Sequence, residues 1–314
     1  MKLAFLILLT AATVPAAVRP DGTFHAMYRG AASDLTSIAV TEGATPEISL
    51  PVTDPAVRSQ IKDRFVPGDR LTITVAHGAV EQVGPETVRI NDTDRVLVLA
   101  GCLAVHLGFG FLVLGRKFKH LLIGLDNRYS NSKCQMALWF GVLAITYLSA
   151  TFLRWAASGY APEFAGGVDL PKNLLLLSGL SVFSFGAAKG ITSNKQAAAT
   201  AAVEAAAAGC PPAPCPPAPG APPPPPPPAL KVPAAQPQFL RDLLCDDNGN
   251  PDIGDYQMMA VTAMAVGVYI TQILGFLGSI QLLHHVTIPD VDSTILATFG
   301  LGQGAYLVKK QLGD

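Results

Sequence analysis

Val96-Leu97-Val98-Leu99-Ala100-Gly101-Cys102-Leu103-Ala104-Val105-His106-Leu107-Gly108-Phe109-Gly110-Phe111-Leu112-Val113-Leu114-Gly115 is an apolar run, followed at once by Arg116-Lys117-Phe118-Lys119-His120. A helix needs about 20 such residues to cross a bilayer core. The basic cluster behind the run marks its cytoplasmic end, which places everything before it outside the cytoplasm. Four more apolar stretches follow: Gln135–Leu153, Leu174–Ala188, Tyr256–Leu277 and Thr294–Val308. Leu174–Ala188 and Thr294–Val308 are short, yet each is followed by lysine, Lys189 in one case and Lys309-Lys310 in the other. The expectation is five spans with a cytoplasmic C-terminus, Arg154 and Lys172 being isolated basic residues on the outer side. Re-entrant short segments would lower that count and move the tail across.

Composition agrees. Half of the 314 residues are apolar and only 14% are charged, against about a quarter in soluble domains. Net charge is −1 and the basic residues are scattered, which excludes the electrostatic footprint of a nucleic-acid binder. Cys102, Cys134, Cys210, Cys215 and Cys245 form no CxxC pair, and none lies in the outer segment, so no disulfide framework is implied.

Met1-Lys2, the apolar Leu3–Leu9 and the small-residue stretch Ala11–Ala17 have the layout of a cleaved secretory signal over residues 1–16, with Val14 and Ala16 at the −3 and −1 positions. Residues 17–94 then read as a small all-β extracytoplasmic domain. Ser37-Ile38-Ala39-Val40, Glu47-Ile48-Ser49-Leu50, Arg70-Leu71-Thr72-Ile73-Thr74-Val75 and Thr87-Val88-Arg89-Ile90 alternate apolar and polar residues as half-buried strands do. Pro67-Gly68-Asp69 is a turn, and Pro55–Phe65 a short helix packed on the sheet. About 75 residues can form one small core.

The second and third spans resemble the fourth and fifth. Gln135-Met136 and Gln257-Met258 open the two pairs in register, each pair re-enters at Leu170-Pro171 or Ile288-Pro289, and Gly179-Leu180-Ser181 aligns with Gly300-Leu301-Gly302. The reading is a duplicated helical hairpin, making an α-helical membrane bundle from residues 95–191 and 241–314. Gly179, Ser184, Gly186 and Gly190, with Gly300, Gly302 and Gly304, suit close helix packing or, in a channel, a pore. Gln135, Gln257, Gln272, Gln303 and His106 are expected to face the bundle interior, where unpaired polar groups are costly.

Asp126-Asn127-Arg128-Tyr129-Ser130-Asn131-Ser132-Lys133-Cys134-Gln135, Leu170-Pro171-Lys172-Asn173-Leu174-Leu175 and Gly300-Leu301-Gly302-Gln303-Gly304-Ala305-Tyr306-Leu307 resemble recurring motifs in a family of prokaryotic multi-span membrane proteins to which no activity is assigned. The resemblance covers roughly residues 119–310, linker excluded. It implies a bacterial inner (cytoplasmic) membrane location and carries over no catalytic or binding residue.

Residues 192–240 form an Ala/Pro-rich cytoplasmic linker whose alanine part can be helical and whose run Pro222–Pro228 must be extended. It reads as a tether or as a docking segment for a proline-binding partner. Cys210 and Cys215 flank a stiff Pro-Pro-Ala-Pro, which argues against a chelate.

Two groups carry metal-ligand chemistry. Asp246, Asn248, Asn250 and Asp252 place oxygen donors at alternate positions, as calcium loops do, although Gly249 is misplaced for an EF-hand and Gln257 stands where the bidentate glutamate belongs. Helix capping and turn formation suit the same residues. His284 and His285 with Asp290 and Asp292 supply imidazole and carboxylate donors for a transition metal, in an outer loop whose counterpart has no histidines. No GxSxG, HExxH or phosphate-loop motif occurs in a fitting context. The sequence therefore leads to a non-enzymatic membrane scaffold or sensor without a resident cofactor, linking the β-domain to cytoplasmic loops. The alternatives are an oligomeric channel or transporter built on the glycine-rich helices, and a metal-binding sensor. Expected partners are the bilayer and either further copies of the chain or another membrane protein.

Overall fold

The computed structural model describes residues 21–124, 126–208, 234–245 and 249–312; the expected signal peptide and the linker's prolines from Pro211 to Pro233 lie outside them. The chain divides into two compact units. One contains residues 21–91 together with Thr151–Val168 and Gly278–Val286, and the other holds Asp92–Ala150, Asp169–Leu277 and residues 287–312.

The first unit is built on an antiparallel sheet ordered β3-β2-β1-β4-β5. Its strands are β1 (Gly22–Ala31), β2 (Ser37–Thr41), β3 (Ile48–Pro51), β4 (Arg70–Ala76) and β5 (Ala79–Pro85). Period-two alternation explains the burial: Leu71, Ile73 and Val75 of β4 point inward with Ile38 and Val40 of β2 and Leu50 of β3, and their threonine neighbours stay outside. The long β1 pairs with β2 and β4, with a register slip between Tyr28 and Gly30 that bends it around the core. A parallel bridge from Val52 to Val80 brings the two sheet edges together. Between β3 and β4 lies α1 (Pro55–Arg64), started by Asp54, whose carboxylate accepts the Ala56 N–H at 2.8 Å, and by Pro55 at a position where no N–H is needed. Its Val57 and Ile61 close the core. This connectivity, with a helix between the third and fourth strands, is that of a five-stranded OB barrel.

A sixth strand, β6 (Thr87–Arg89), pairs antiparallel with Ser279–Gln281, which lies between the last two helices. The loops joining the helix pairs thus belong to the β unit. The first also contains the strand β7 (Val168–Asp169); in the second, Ser279–Gln281 is β8 and Val286–Thr287 is β9.

The second unit is helical: α2 (Asp92–Leu114), α3 (Asn131–Ala157, whose last turns join the first unit), α4 (Lys172–Ala208), α5 (Phe239–Leu244), α6 (Ile253–Leu277) and α7 (Ser293–Leu312). Four stretches among the described residues are long and apolar enough to cross a membrane: Asp92–Leu121, Asn131–Ala157, Lys172–Ala201 and Ile253–Leu277. The fifth expected span is helical as α7 but falls outside that set, because its apolar run is short, is interrupted by Gln303 and ends in Lys309-Lys310. The third is longer than expected, since the alanines of the linker continue α4 to Ala208. α7 packs against both α4 and α6, whereas α2 buries none of its residues.

Candidate functional site

The most conspicuous ionisable groups lie within the β unit, where the two interhelical loops meet β4. Asp69, from the Pro67-Gly68-Asp69 turn, is 1% exposed. Its Oδ1 accepts the His284 N–H at 2.6 Å and its Oδ2 the Val66 N–H at 2.8 Å. The His284 ring stands over the same carboxylate, Nδ1 at 3.5 Å from Oδ1, with its centroid 5.8 Å from that of Phe164. Arg154 is fully buried, and its guanidinium donates to the carbonyls of Gly166 (2.6 Å), Leu283 and His284. Arg70 lies over the Phe164 ring and donates to the Ser158 carbonyl at 3.0 Å, while its N–H reaches the Leu282 carbonyl at 2.9 Å. Two loops distant in sequence are therefore held by charged side chains that direct their hydrogen bonds to main-chain groups. Charge-assisted bonds of this kind are about twice as strong as neutral ones.

Two glycines make room for the clamp. Gly68 has φ +102 and Gly167 φ +69. A Cβ at Gly68 would run into the His284 imidazole, and one at Gly167 into the His284 carbonyl.

His284 is thus placed beside Asp69, a partner that sequence reading missed because the two are 215 residues apart. Asp290 and Asp292 serve helix starts. Asp290 Oδ1 accepts the N–H of Leu174, in the first turn of α4, at 3.1 Å and that of Val291 at 2.8 Å. Asn173 returns the contact by donating to the Val291 carbonyl at 3.1 Å. Asp292 accepts from the Thr294 hydroxyl and N–H, which hold its carboxyl below the usual range. Asp252 Oδ1 receives the N–H groups of Gly254 (2.8 Å) and Asp255 (3.2 Å) and so caps α6. Asn250 is exposed, and Asp246 and Asn248 lie outside the described residues. Among the described residues no three His, Cys, Asp or Glu side chains are grouped to hold a metal ion.

Inside the helical unit the interior expectation divides. Gln135 and Gln303, 1% and 3% exposed, bond to each other, Gln303 Nε2 donating to Gln135 Oε1. Gln135 Nε2 donates in turn to Thr262 Oγ1 at 2.7 Å, and Thr262 to the Met258 carbonyl at 2.8 Å. Gln257 and Gln272, by contrast, are exposed. The glutamines aligned as equivalents in the two hairpins, Gln135 and Gln257, thus occupy unlike environments, and Thr262, five residues beyond Gln257 and on another face of α6, takes the inward place. The glycines do not mark tight helix approach: a Cβ at Gly179, Gly186, Gly302 or Gly304 would meet nothing within 4 Å, and one at Gly300 only Leu180, at 3.9 Å.

The Asp126-Asn127-Arg128-Tyr129 motif has a structural role. Asn127 adopts φ +56, a region asparagine tolerates, and its amide donates to the Ala234 carbonyl at 2.7 Å while the Asp126 carbonyl accepts the Ala234 N–H at 2.9 Å. Asp242 accepts the N–H groups of Tyr129 (3.0 Å) and Gln238 (2.8 Å). The motif thereby grips the chain where it emerges from the linker.

The outer face of β1 and its neighbours presents polar groups: Thr23 bonds to Thr74, His25 to Thr72 and Arg29 to Thr41. What the chain combines is an N-terminal five-stranded sheet with four helices long and apolar enough for a membrane. Comparison with protein-family models, with curated proteins and with solved structures yields no match.

Proposed function

We propose that the chain is a non-enzymatic scaffold of the bacterial inner membrane, a multi-pass protein whose β unit, completed by the loops between its paired helices, lies outside the cytoplasm. The observation that carries this reading is the joining of both interhelical loops to the barrel, by the β6–β8 ladder and by the Asp69 and Arg154 clamps. A β unit completed by the loops of two helix pairs suits a support for an extracytoplasmic partner, or for further copies of the chain. The buried charges are engaged in holding main chain, and Gln303, Gln135 and Thr262 are joined in one hydrogen-bond chain between helices; both features favour a static frame over a catalytic centre or a conduction path. Arg116, Lys117 and Lys119 behind α2 support an external β unit by the positive-inside rule, and the two hairpins are then parallel copies with their ends in the cytoplasm.

The test has two parts. An Arg29→Cys variant in intact spheroplasts is expected to react with a membrane-impermeant maleimide, and protection until lysis would reverse the topology. Native purification of the full chain from cross-linked membranes is expected to recover a stoichiometric partner, or defined multimers, lost on H25E/R29E substitution of the polar sheet face. A monomer that brings nothing with it, or that conducts a solute in liposomes, would replace the scaffold reading.

A further inference from the structure

Gly115, at φ +54, stops α2, and the following 3-10 turn, Gly115–Leu121, carries Arg116, Lys117, Lys119 and His120, all exposed, along with exposed Leu121. The chain then doubles back. Ile123 bridges to Tyr129, and the Ser130 N–H reaches the Leu122 carbonyl at 2.9 Å. On the returning limb the Tyr129 ring stands edge-on to Phe239 at 5.1 Å, and Asp242 ties α5 to Tyr129. So held, α5 buries Leu243 and turns Phe239 and Leu240 outward, the latter 70% exposed, beside exposed Arg241. The acids nearby are engaged: Asp242 as above, and Asp126 with the Arg128 N–H at 3.4 Å.

Exposed phenylalanine and leucine next to a row of cations suit the lipid headgroup layer, where rings and aliphatic chains enter the acyl boundary and ammonium and guanidinium groups meet phosphate. The collar is also continuous with α2, which buries none of its residues and is apolar over the length of a span. We propose that Arg116, Lys117 and Lys119, with Phe239 and Leu240 of α5, form a binding site for anionic phospholipid headgroups at the end of α2. The inference rests on the membrane reading above and adds a lipid class to it. It gives the Asp126–Tyr129 motif a purpose: by holding Ala234 and α5 it fixes the exit of the linker at the bilayer surface.

The probes are phosphatidylglycerol and phosphatidylcholine, titrated onto the full-length protein in detergent, with bound lipid read by native mass spectrometry. Phosphatidylglycerol is expected to be retained in preference, and R116Q/K117Q/K119Q to weaken its binding about a hundredfold, at roughly a factor of five per charge. F239S/L240S is expected to weaken it less while keeping the preference, and K172Q, a single cation at the start of α4, to leave it unchanged. Equal retention of the two lipids, or a triple variant that binds like the parent with unchanged circular dichroism, overturns the site. Carbonate washing of membranes separates the two readings. Protein in the pellet without lipid preference removes the collar alone, whereas protein in the supernatant removes the membrane reading with it.

Discussion

The Asp69 carboxylate accepts the backbone N–H of His284 at 2.6 Å, joining the turn before β4 to the loop between α6 and α7. Its second oxygen is taken by Val66 N–H, so both oxygens face donors in a buried place. Asparagine has the same shape but turns an amide toward one of those N–H groups. D69N is expected to destabilise the β unit by about 2 kcal/mol, the scale of a lost charged hydrogen bond with a buried group left unpaired. The measurement is thermal unfolding of the full chain in detergent, followed by tryptophan fluorescence, and an unchanged midpoint would mean that the junction bears no strain of folding.

Gly68 and Gly167 both face His284, but different parts of it, which separates two kinds of crowding. G68A places a methyl against the imidazole, and G167A places one against the carbonyl oxygen. Both are expected to lower stability, helped by positive φ at each position. H284A removes the ring and keeps the carbonyl. The double variant G68A/H284A should therefore recover part of the loss relative to the sum of the single changes, and G167A/H284A should recover none. Equal coupling in both pairs would contradict the geometry.

Much of this architecture is legible in the sequence because it depends on local periodicity. β2, β3, β4 and β6 follow from alternation and α1 from Asp54-Pro55, and the helices follow from apolar length. β1 is not legible, since Gly22-Thr23-Phe24-His25-Ala26 carries only weak alternation and gains its place by pairing on both sides. The clamp is not legible either. Arg154 looks like a stray charge on the outer side, and only the folded loops bring three carbonyls to it. The glutamines show the same limit: residue type predicts a polar group seeking a partner, but helix rotation decides that Thr262 rather than Gln257 faces Gln135.

Tyr28 gives the β unit an alkaline limit. Burial, with a smaller contribution from the Asp69 charge, raises its phenol above the ordinary value of 10.0. A group whose folded pKa is raised holds its proton more tightly in the native state, so stability is unaffected below pH 10 and falls as pH rises through the folded value. Urea midpoints of the full chain between pH 9 and 11.5 are expected to decline, and Y28F should flatten that part of the profile while leaving neutral pH little changed. An identical decline in Y28F would assign the alkaline loss to another group.

Gln303 donates to Gln135, which donates to Thr262, so a single chain of amides and a hydroxyl crosses α7, α3 and α6. Removing one end leaves a buried amide in an apolar interior, whereas removing both amides leaves only Thr262, which already bonds to the Met258 carbonyl. Q135L and Q303L are each expected to cost about 1 kcal/mol, within the range measured for interhelical hydrogen bonds in membranes. Together they should cost less than their sum. Q257L, on the exposed side of α6, should change stability by no more than about 0.5 kcal/mol. The cycle is read from unfolding in mixed micelles. It also bears on the rival to a scaffold: if these glutamines lined a solute path, Q135L/Q303L would change flux in liposomes, whereas in a packed bundle it changes stability and nothing else. Strictly additive losses would mean that the two side chains do not touch.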